Sequence, residues 1–347
     1  MKSSLAISLA FLCASSIEFA QTKHHEWWKD LPLNRPLNSP NAKKLPLISV
    51  RGNKFVDPDG KAILFRGLSI SDPDKVEHQS HWNKEHFAKL KEMGTMVVRI
   101  PVHPVAWRER TPAEYLKLLD QAVEWCTELG MYIMVDWHSI GNLKSGLFQD
   151  PMYDTSLQET FSFWRTIAAH YRGNNTVAFY EFFNEPTTFN DQLGRVSWDD
   201  WKKINEDLIV LIRAWDRTKI PLVAGFDWAY DLTPLRIAPI DAEGVGYVTH
   251  PYSFKRQKPW EPKWDEDFGF AAGKYPVVAT EFGFDLRPGA ANDYGPAIIK
   301  YLESRGISWM GWCFDPEWGP TLLTSWESYG LTPSGEFFKQ ALQGKLP

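Results

Sequence analysis

Short apolar segments alternate with amphipathic segments along most of the chain. The apolar segments are rich in Val, Ile, Met and aromatic residues, and we predict strands at 63–69, 95–100, 131–138, 177–184, 220–226, 245–250, 276–281 and 307–313. Nearly continuous apolar runs are typical of parallel strands buried on both faces. Eight of them separated by helices predict an α/β protein with a (β/α)8 barrel. An open doubly wound sheet is the alternative, but no Gly-rich phosphate loop follows the first strand.

Two of the intervening segments carry clear helix signals. In residues 111–130, Thr111 is a candidate N-cap, Pro112 stands at the first helical position, Glu114 could complete a capping box and Gly130 ends the pattern. A second helix is predicted after Ser197, with apolar residues at helical spacing. These helices fit the crossover connections that a parallel barrel requires.

The residues before the first barrel strand divide into three parts. Residues 1–20 have a basic start, an apolar run and then small residues, which predicts a signal peptide cut between Ala14 and Gln21. Residues 21–47 lack periodicity and contain four prolines, which predicts an extended, Pro-rich arm. A hairpin from Ile48 leads into the main domain, expected over 48–347. We therefore expect a secreted protein, extracellular or periplasmic, with no membrane attachment after cleavage.

Composition narrows the possible partners. The 347-residue chain has a net charge of -5 and no basic stripe, which argues against a nucleic-acid partner. It has 17 tryptophans, more than a core needs, so some are expected on a binding surface. Beyond the signal peptide only Cys126 and Cys313 remain, and we predict two buried thiols, not a disulfide framework.

Polar or aromatic side chains end six of the predicted strands. In a (β/α)8 barrel the active site lies at the carboxyl ends of the strands, so these groups should converge. They are Arg99, His138, Asn184 with Glu185, His250 with Tyr252, Glu281, and Trp312.

Glu185 and Glu281 form a carboxyl pair suited to cleavage of a glycosidic bond, in which one group protonates the leaving oxygen and the other attacks the anomeric carbon. Arg99 would keep Glu281 ionised, and that charge would help keep Glu185 protonated. The separation that decides between retention and inversion cannot be read from sequence.

A third glutamate, Glu181, lies four residues before Glu185 and points to the same side of the predicted strand. At strand rise it would lie about 13 Å lower in the barrel, where it needs a cation. We predict a structural ion pair between Glu181 and Arg66 of the first strand.

The set of strand-end residues resembles, strand by strand, the site of glycoside hydrolase family 5, the cellulase family among the clan A retaining β-glycanases. The likeness extends over residues 50–342. It implies that Glu185 is the acid/base and Glu281 the nucleophile. It further implies that Asn184 binds the sugar 2-hydroxyl and Tyr252 hydrogen-bonds the nucleophile. His250 would assist near the acid/base, Trp312 would stack beneath a sugar, and Arg99 and His138 would complete the substrate site.

The resemblance also implies catalysis without a metal or cofactor, and no His, Asp and Glu residues stand at metal-ligand spacing in the sequence. We expect double-displacement hydrolysis of β-1,4-glucosidic bonds in cellulose-type or mixed-linkage β-1,3/1,4-glucan. A β-mannanase or xyloglucanase of the same family is the alternative. A non-catalytic carbohydrate-binding barrel and a metal hydrolase are the other classes considered.

Simpler interpretations accompany several of these residues. Arg99 could pair with an internal carboxylate, His138 could be a core histidine and Trp312 could be barrel packing, while His103 has no assigned role. Seven loop tryptophans could each be packing or sugar-binding: Trp82, Trp107, Trp228, Trp260, Trp264, Trp318 and Trp326.

The arm also has two interpretations. It is either a flexible spacer, or Trp27 or Trp28 docks at one end of the cleft, in the same molecule or a second one. Docking on a second molecule would make the protein self-associate.

Overall fold

The computed structural model of the protein describes residues 36–187, 192–286 and 293–346. The predicted signal peptide lies outside the described residues. So does the first part of the predicted arm, including Trp27 and Trp28. Both assignments stay predictions.

The centre of the molecule is a closed barrel of eight parallel strands that neighbour one another in chain order. The strands, numbered here as barrel strands 1 to 8, are Arg66–Ile70, Val97–Val102, Tyr132–Trp137, Val177–Glu181, Ile220–Ala224, Gly246–Thr249, Val277–Phe282 and Ser308–Phe314. The predicted barrel and all eight predicted strands are confirmed, with small shifts at their ends.

Helices connect the strands around the outside of the barrel. They are Pro73–His78, Lys84–Met93, Pro104–Arg110, Pro112–Leu129, Leu157–His170, Trp198–Arg213, Glu261–Asp267, Tyr294–Ser304 and Pro333–Leu342, with short 3-10 turns at Pro151–Tyr153, Thr233–Arg236 and Gly269–Gly273. The helix after Thr111 begins and ends as predicted. However, the Thr111 side chain caps nothing, because its backbone lies at φ 72°. Ser197 does cap its helix, accepting the backbone N–H of Asp200 at 3.1 Å.

A small antiparallel sheet covers the amino-terminal end of the barrel. It consists of Ser49–Arg51, Lys54–Val56 and Ala62–Ile63, so the predicted hairpin contains an additional turn at Gly52. Phe55 from this sheet packs edge-on against Phe179 at 5.2 Å between ring centroids. This end of the barrel is therefore closed by apolar side chains.

The described part of the arm runs along the outside of the barrel. The backbone N–H of Leu37 donates to the carbonyl of His170, and that of Asn175 donates to the carbonyl of Ala42. Tyr132, at the start of barrel strand 3, donates its hydroxyl hydrogen to the carbonyl of Pro46. These contacts fasten residues 37–46 to the barrel.

Two further sequence expectations can be compared with the fold. Cys126 and Cys313 are buried free thiols, as predicted. Among the described residues, no helix combines the length and the apolar character that crossing a membrane would demand.

Candidate active site

Arg99 is the centre of the polar layer at the carboxyl end of the barrel. Its guanidinium is fully buried and lies within 3.0 Å of carboxylate oxygens of Asp136, Glu181 and Glu281. It also donates to Oδ1 of Asn184 at 2.6 Å. Burial alone would lower the pKa of Arg99, but the three carboxylates raise it well above its usual range. Arg99 is thus a permanent cation among acidic groups.

The predicted ion pair between Glu181 and Arg66 is wrong. Glu181 accepts two hydrogen bonds from Arg99, at 2.7 and 3.0 Å, whereas Arg66 pairs with Glu303 on the outside. The reason is the phase of barrel strand 1: Ser69 faces inward to Arg99, so Arg66, three residues earlier, faces outward. Arg99 holds the pKa of Glu181 at about 2 against the opposing effect of burial.

Glu185 is positioned by a second small sheet above the barrel. Barrel strand 4 ends at Glu181, and the chain then forms the short strand Glu185–Pro186. This strand pairs with Ile140–Asn142, which also pairs with Leu147–Phe148. The carboxylates of Glu181 and Glu185 both approach the ring of His250, at 3.6 and 2.9 Å.

His250 connects the two glutamates through its ring nitrogens. Nδ1 lies 2.9 Å from Oε1 of Glu185, and Nε2 lies 2.9 Å from the hydroxyl of Thr280, which donates onward to Glu181. Burial would lower the pKa of His250, but the charge of Glu281 and the bonds to Glu181 and Glu185 raise it to about 9. At neutral pH the ring is therefore cationic and donates through both nitrogens.

The environment raises the pKa of Glu185. Burial is the largest cause, and the charge of nearby Glu281 adds to it, against the hydrogen bond from His250. Glu281 is held differently: it accepts from the Tyr252 hydroxyl at 2.7 Å and from Arg99 at 3.0 Å. The protonated form of Glu185 is thus favoured more than in a free glutamate, whereas hydrogen-bond donors surround Glu281.

Glu185 and Glu281 face the same cavity, which has a volume of about 790 Å³. A carboxylate oxygen of each lies within 4.8 Å of the other, with a nitrogen of His250 at the same range. His138 and Trp312 line this cavity with their rings parallel at 5.5 Å. Tyr252 lines it too, whereas Arg99 and Asn184 lie in the layer beneath.

Glu185, His250 and Glu281 are also the three groups in the described chain whose ligand atoms could jointly surround a metal ion. The sequence spacing did not indicate this cluster, because three different barrel strands bring its members together. His250 is protonated up to a pKa of about 9, and a histidine must lose its proton before it can coordinate a metal.

The structure separates the loop tryptophans that sequence left undecided. Trp107 and Trp264 are buried in the core, and Trp82 and Trp326 are nearly so. Trp228 lines the cavity, whereas Trp260 does not. His103 is also buried; its backbone N–H and Nδ1 lie at 2.8 and 3.1 Å from Asp72.

Several site residues were missed by sequence reasoning. Asp136 contacts both Arg99 and Nδ1 of His138, at 2.9 and 2.6 Å. It precedes His138 by two positions, so strand alternation alone could have placed it in the site. Thr280 gave no comparable signal, since hydroxyl groups near strand ends are common. Tyr153 lines the cavity from the 3-10 turn Pro151–Tyr153, away from any strand end, so the strand-end rule could not find it.

Comparison with known proteins agrees with this geometry. The family model described as cellulase (glycosyl hydrolase family 5) matches residues 56–317. The solved beta-glucanase SdGluc5_26A from Saccharophagus degradans is 44% identical, with a TM-score of 0.86 over 92% of this chain and 100% of that chain. The same beta-glucanase has also been solved in complex with cellotetraose.

More distant relatives are endoglucanases. Endoglucanase E-5 of Thermobifida fusca is 25% identical over 90% of this chain and 67% of its own length. Endoglucanase A of Butyrivibrio fibrisolvens is 27% identical over 65% of this chain, which spans 50% of that relative. Because the family model matches most of the chain and the fold agrees throughout, this protein belongs to the cellulase family, glycosyl hydrolase family 5.

Proposed function

We propose that the protein is a retaining β-glycanase that hydrolyses β-1,4-glucosidic bonds in β-glucans, with Glu185 as acid/base and Glu281 as nucleophile. The observation that carries this proposal is the distance between the two carboxyl groups. One oxygen of each group lies within 4.8 Å of one of the other, which is compatible with the separation of about 5–5.5 Å typical of retaining enzymes and favours it over the wider gap of inverting ones.

The first step is glycosylation of the enzyme. Glu185 donates its proton to the oxygen that joins two sugars, Glu281 attacks the anomeric carbon, and the bond to the leaving sugar breaks. His250 donates to Oε1 of Glu185, which orients the carboxyl and leaves the other oxygen to carry the proton. Arg99 and Tyr252 donate hydrogen bonds to Glu281, which hold its carboxylate in place for attack on the sugar.

The second step releases the product. Glu185, now ionised, takes a proton from water; the water oxygen attacks the anomeric carbon and the bond to Glu281 breaks. The configuration at the anomeric carbon is retained because it is inverted twice. Each glutamate returns to its initial protonation state.

Groups beside the two glutamates can bind the sugar that becomes attached to Glu281. Nδ2 of Asn184 is buried without a hydrogen-bond partner among the described residues, so it can donate to the sugar 2-hydroxyl. The Trp312 indole, 7% exposed at the cavity wall, offers a face for stacking. His138 donates Nδ1–H to Asp136, which leaves Nε2 as an acceptor.

The glucan preference rests on the relatives, which are described as endoglucanases and a beta-glucanase. Mannan and xyloglucan are the competing substrates. Initial rates on mixed-linkage β-glucan, cellulose derivatives, mannan and xyloglucan would compare them directly. A higher rate on mannan than on any glucan would overturn the substrate assignment but not the chemistry.

Two alanine variants separate the roles of the glutamates. Glu185→Ala should lose activity on polysaccharide yet still give a rapid burst of about one equivalent of dinitrophenolate from dinitrophenyl β-cellobioside, since that leaving group needs no proton. Slow turnover should follow the burst, because the base of the second step is missing. Glu281→Ala should lose both activities. Glu128→Ala, at an exposed glutamate paired with Lys84, is the matched control and should retain both. Absence of the dinitrophenolate burst in folded Glu185→Ala would overturn its assignment as the acid.

We also retain secretion and self-association through the arm as proposals. They rest on the amino-terminal sequence pattern and on Trp27 and Trp28. Gel filtration and product analysis of a chain lacking residues 21–45 test the second. If the shortened chain keeps the association state and the product profile of the full chain, a role for the arm in the cleft is rejected.

A further inference from the structure

A buried carboxylate lies close to the cavity without lining it. Asp315, the first residue after barrel strand 8, is fully buried. One of its oxygens accepts from the Ser71 hydroxyl and from the Lys75 ammonium, the latter at 2.6 Å. The other accepts the backbone N–H groups of Glu317 and Trp318, at 2.6 and 2.8 Å. The proposed chemistry gives this carboxylate no role, although four donors converge on it.

Lys75 reaches Asp315 from the first helix after barrel strand 1, so the pair connects the first and the last strand of the barrel. Its side chain is 17% exposed, and its ammonium also lies 3.1 Å from a carboxylate oxygen of Glu317. The same ammonium lies 5.3 Å from the centre of the Trp318 ring and 5.7 Å from that of Trp326. Lys75 therefore contacts both the carboxylate that holds the turn after strand 8 and a ring on that turn.

The turn that Asp315 holds is in contact with Trp312. The Trp318 ring lies within 16° of parallel to the Trp312 ring, at 6.2 Å between the centroids. The indole N–H of Trp312 donates to the carbonyl of Gly319 at 3.2 Å. Trp312 is also parallel to the ring of His138. Two of the contacts that orient the Trp312 indole thus come from the turn that begins at Asp315.

Stability alone does not explain an ion pair at this place. Burying a carboxylate and an ammonium costs hydration free energy, and apolar side chains of similar volume often stabilise a fold as well or better. Apolar side chains could not direct two backbone N–H groups of a turn, however, whereas a carboxylate can. Orientation matters at a stacking surface, since misplacing a binding group by about 1 Å can lower a rate about a hundredfold.

We propose that Asp315 and Lys75 are positioning residues, which fix the turn after barrel strand 8 and thereby the plane of the Trp312 indole against the sugar attached to Glu281. This inference rests on the proposed function, in which Trp312 stacks on that sugar. Neither Asp315 nor Lys75 lines the cavity, so both act on the reaction through Trp312.

The experiment tests whether the pair acts through Trp312. Lys75→Gln, Asp315→Asn and Trp312→Ala are made singly, and each of the first two is then combined with Trp312→Ala. The kcat/KM of each protein is measured on dinitrophenyl β-cellobioside and on mixed-linkage β-glucan, after circular dichroism has shown that the protein is folded. Lys75→Arg, which keeps the charge, tests for rescue.

Lys258→Gln is the matched control. Lys258 also pairs with an aspartate, Asp293, and its ammonium lies 4.8 Å from the centre of a tryptophan ring, that of Trp260. None of these three residues lines the cavity or contacts the turn after barrel strand 8. The kcat/KM of Lys258→Gln should therefore stay within about twofold of the wild type.

We expect Lys75→Gln to lower kcat/KM about tenfold. Asp315→Asn should lower it about tenfold to a hundredfold, because this change also weakens the bonds to the backbone of the turn. Lys75→Arg should lose less than about threefold. In a chain that carries Trp312→Ala, the first two changes should lower kcat/KM by less than about twofold further, because the ring that they position is gone.

The outcomes separate this inference from the proposed function. Equal losses with and without Trp312 would mean that the pair does not act through that ring, and wild-type rates in folded Lys75→Gln would mean that it positions nothing. Lys75→Arg as slow as Lys75→Gln would exclude the ion pair as the cause. Each of these results overturns the positioning role alone, whereas a wild type that hydrolyses neither substrate overturns the proposed function and this inference with it. Lys75→Gln keeps the test decisive if Asp315→Asn fails to fold, since Lys75 is partly exposed.

Discussion

Two layers of side chains fill the same barrel and differ completely in chemistry. The lower layer is apolar and consists of Phe65, Val97, Met134, Phe179, Leu222, Val248, Val278 and Met310. Two residues further along the strands, about 7 Å higher, the inward positions include Arg99, Asp136, Glu181, His250, Thr280 and Trp312. A single step of strand alternation therefore separates a hydrophobic core from a buried ionic network.

The difference shows how the barrel divides stability from chemistry. The lower layer gains from removing apolar surface from water and needs only the right volumes. Folding removes the charges of the upper layer from water. Their close pairing around Arg99 offsets the hydration free energy that is lost. A buried ionic network is weak evidence for stability, and its position at the strand ends fits the proposed catalytic role. Variants in the two layers should therefore fail in different ways.

The largest effect is expected at Glu281. Glu281→Gln keeps the size of the side chain but removes the proposed nucleophile, so the kcat on β-glucan should fall about 10⁴-fold or more. Circular dichroism should still show a folded barrel. Residual activity within tenfold of the wild type would contradict the assignment.

Arg99→Met should affect folding more than any change in the lower layer. It leaves Asp136, Glu181 and Glu281 without their shared cation, and we expect a loss of about 3–5 kcal/mol in the free energy of unfolding. Arg66→Met is the control, because the Arg66–Glu303 pair is 28% exposed on both sides and should contribute about 1 kcal/mol or less. Similar urea midpoints for the two variants would show that the ionic layer is not held by Arg99.

The pH dependence of stability should reveal the protonation of His250 in the folded protein. Its pKa is raised to about 9 in the folded state from about 6.5 when unfolded, so its contribution is complete below pH 6.5. That contribution should disappear as the pH rises through 9. Urea unfolding of the wild type should therefore lose up to about 3 kcal/mol over this range relative to His250→Gln. Parallel pH profiles for both proteins would mean that His250 is neutral in the fold.

In the lower layer, Phe179→Leu should reduce stability without changing the chemistry. The change replaces a ring that packs against Phe55 and Phe65 by a smaller side chain. We expect the free energy of unfolding to fall by about 1–2 kcal/mol. The kcat of the folded fraction should match that of the wild type. A tenfold drop in kcat at unchanged stability would show that the two layers are not separable.

The smallest effect concerns Lys255, whose charge lowers the pKa of Glu185. Lys255→Gln should raise that pKa and move the alkaline limb of the kcat/KM profile to higher pH, by less than about one unit. Lys258→Gln is the control, since Lys258 pairs with exposed Asp293 away from the cavity. A shift toward lower pH would reverse the proposed sign.

The error at Glu181 shows a limit of sequence reasoning. A strand that is apolar on both faces does not reveal which residues face inward, so Arg66 and Arg99 were equally available as partners. The contact between Arg99 and Ser69 shows that Ser69, and not Arg66, faces the inside of the folded barrel. Similarly, no local pattern indicated that the short strand with Glu185 would pair with Ile140–Asn142 in a separate small sheet.

The sequence by itself determined the alternation of strands and helices, the strand ends that carry polar groups and the pair Glu185 and Glu281. These features follow from local hydrophobic periodicity and from the rule that barrel sites lie at the carboxyl ends of strands. Only the tertiary structure decided that Arg99 is the shared cation, that His250 bridges two glutamates and that Trp228 lines the cavity. Those contacts join residues far apart in the chain, and their geometry depends on strand phase and loop path, which no local pattern encodes.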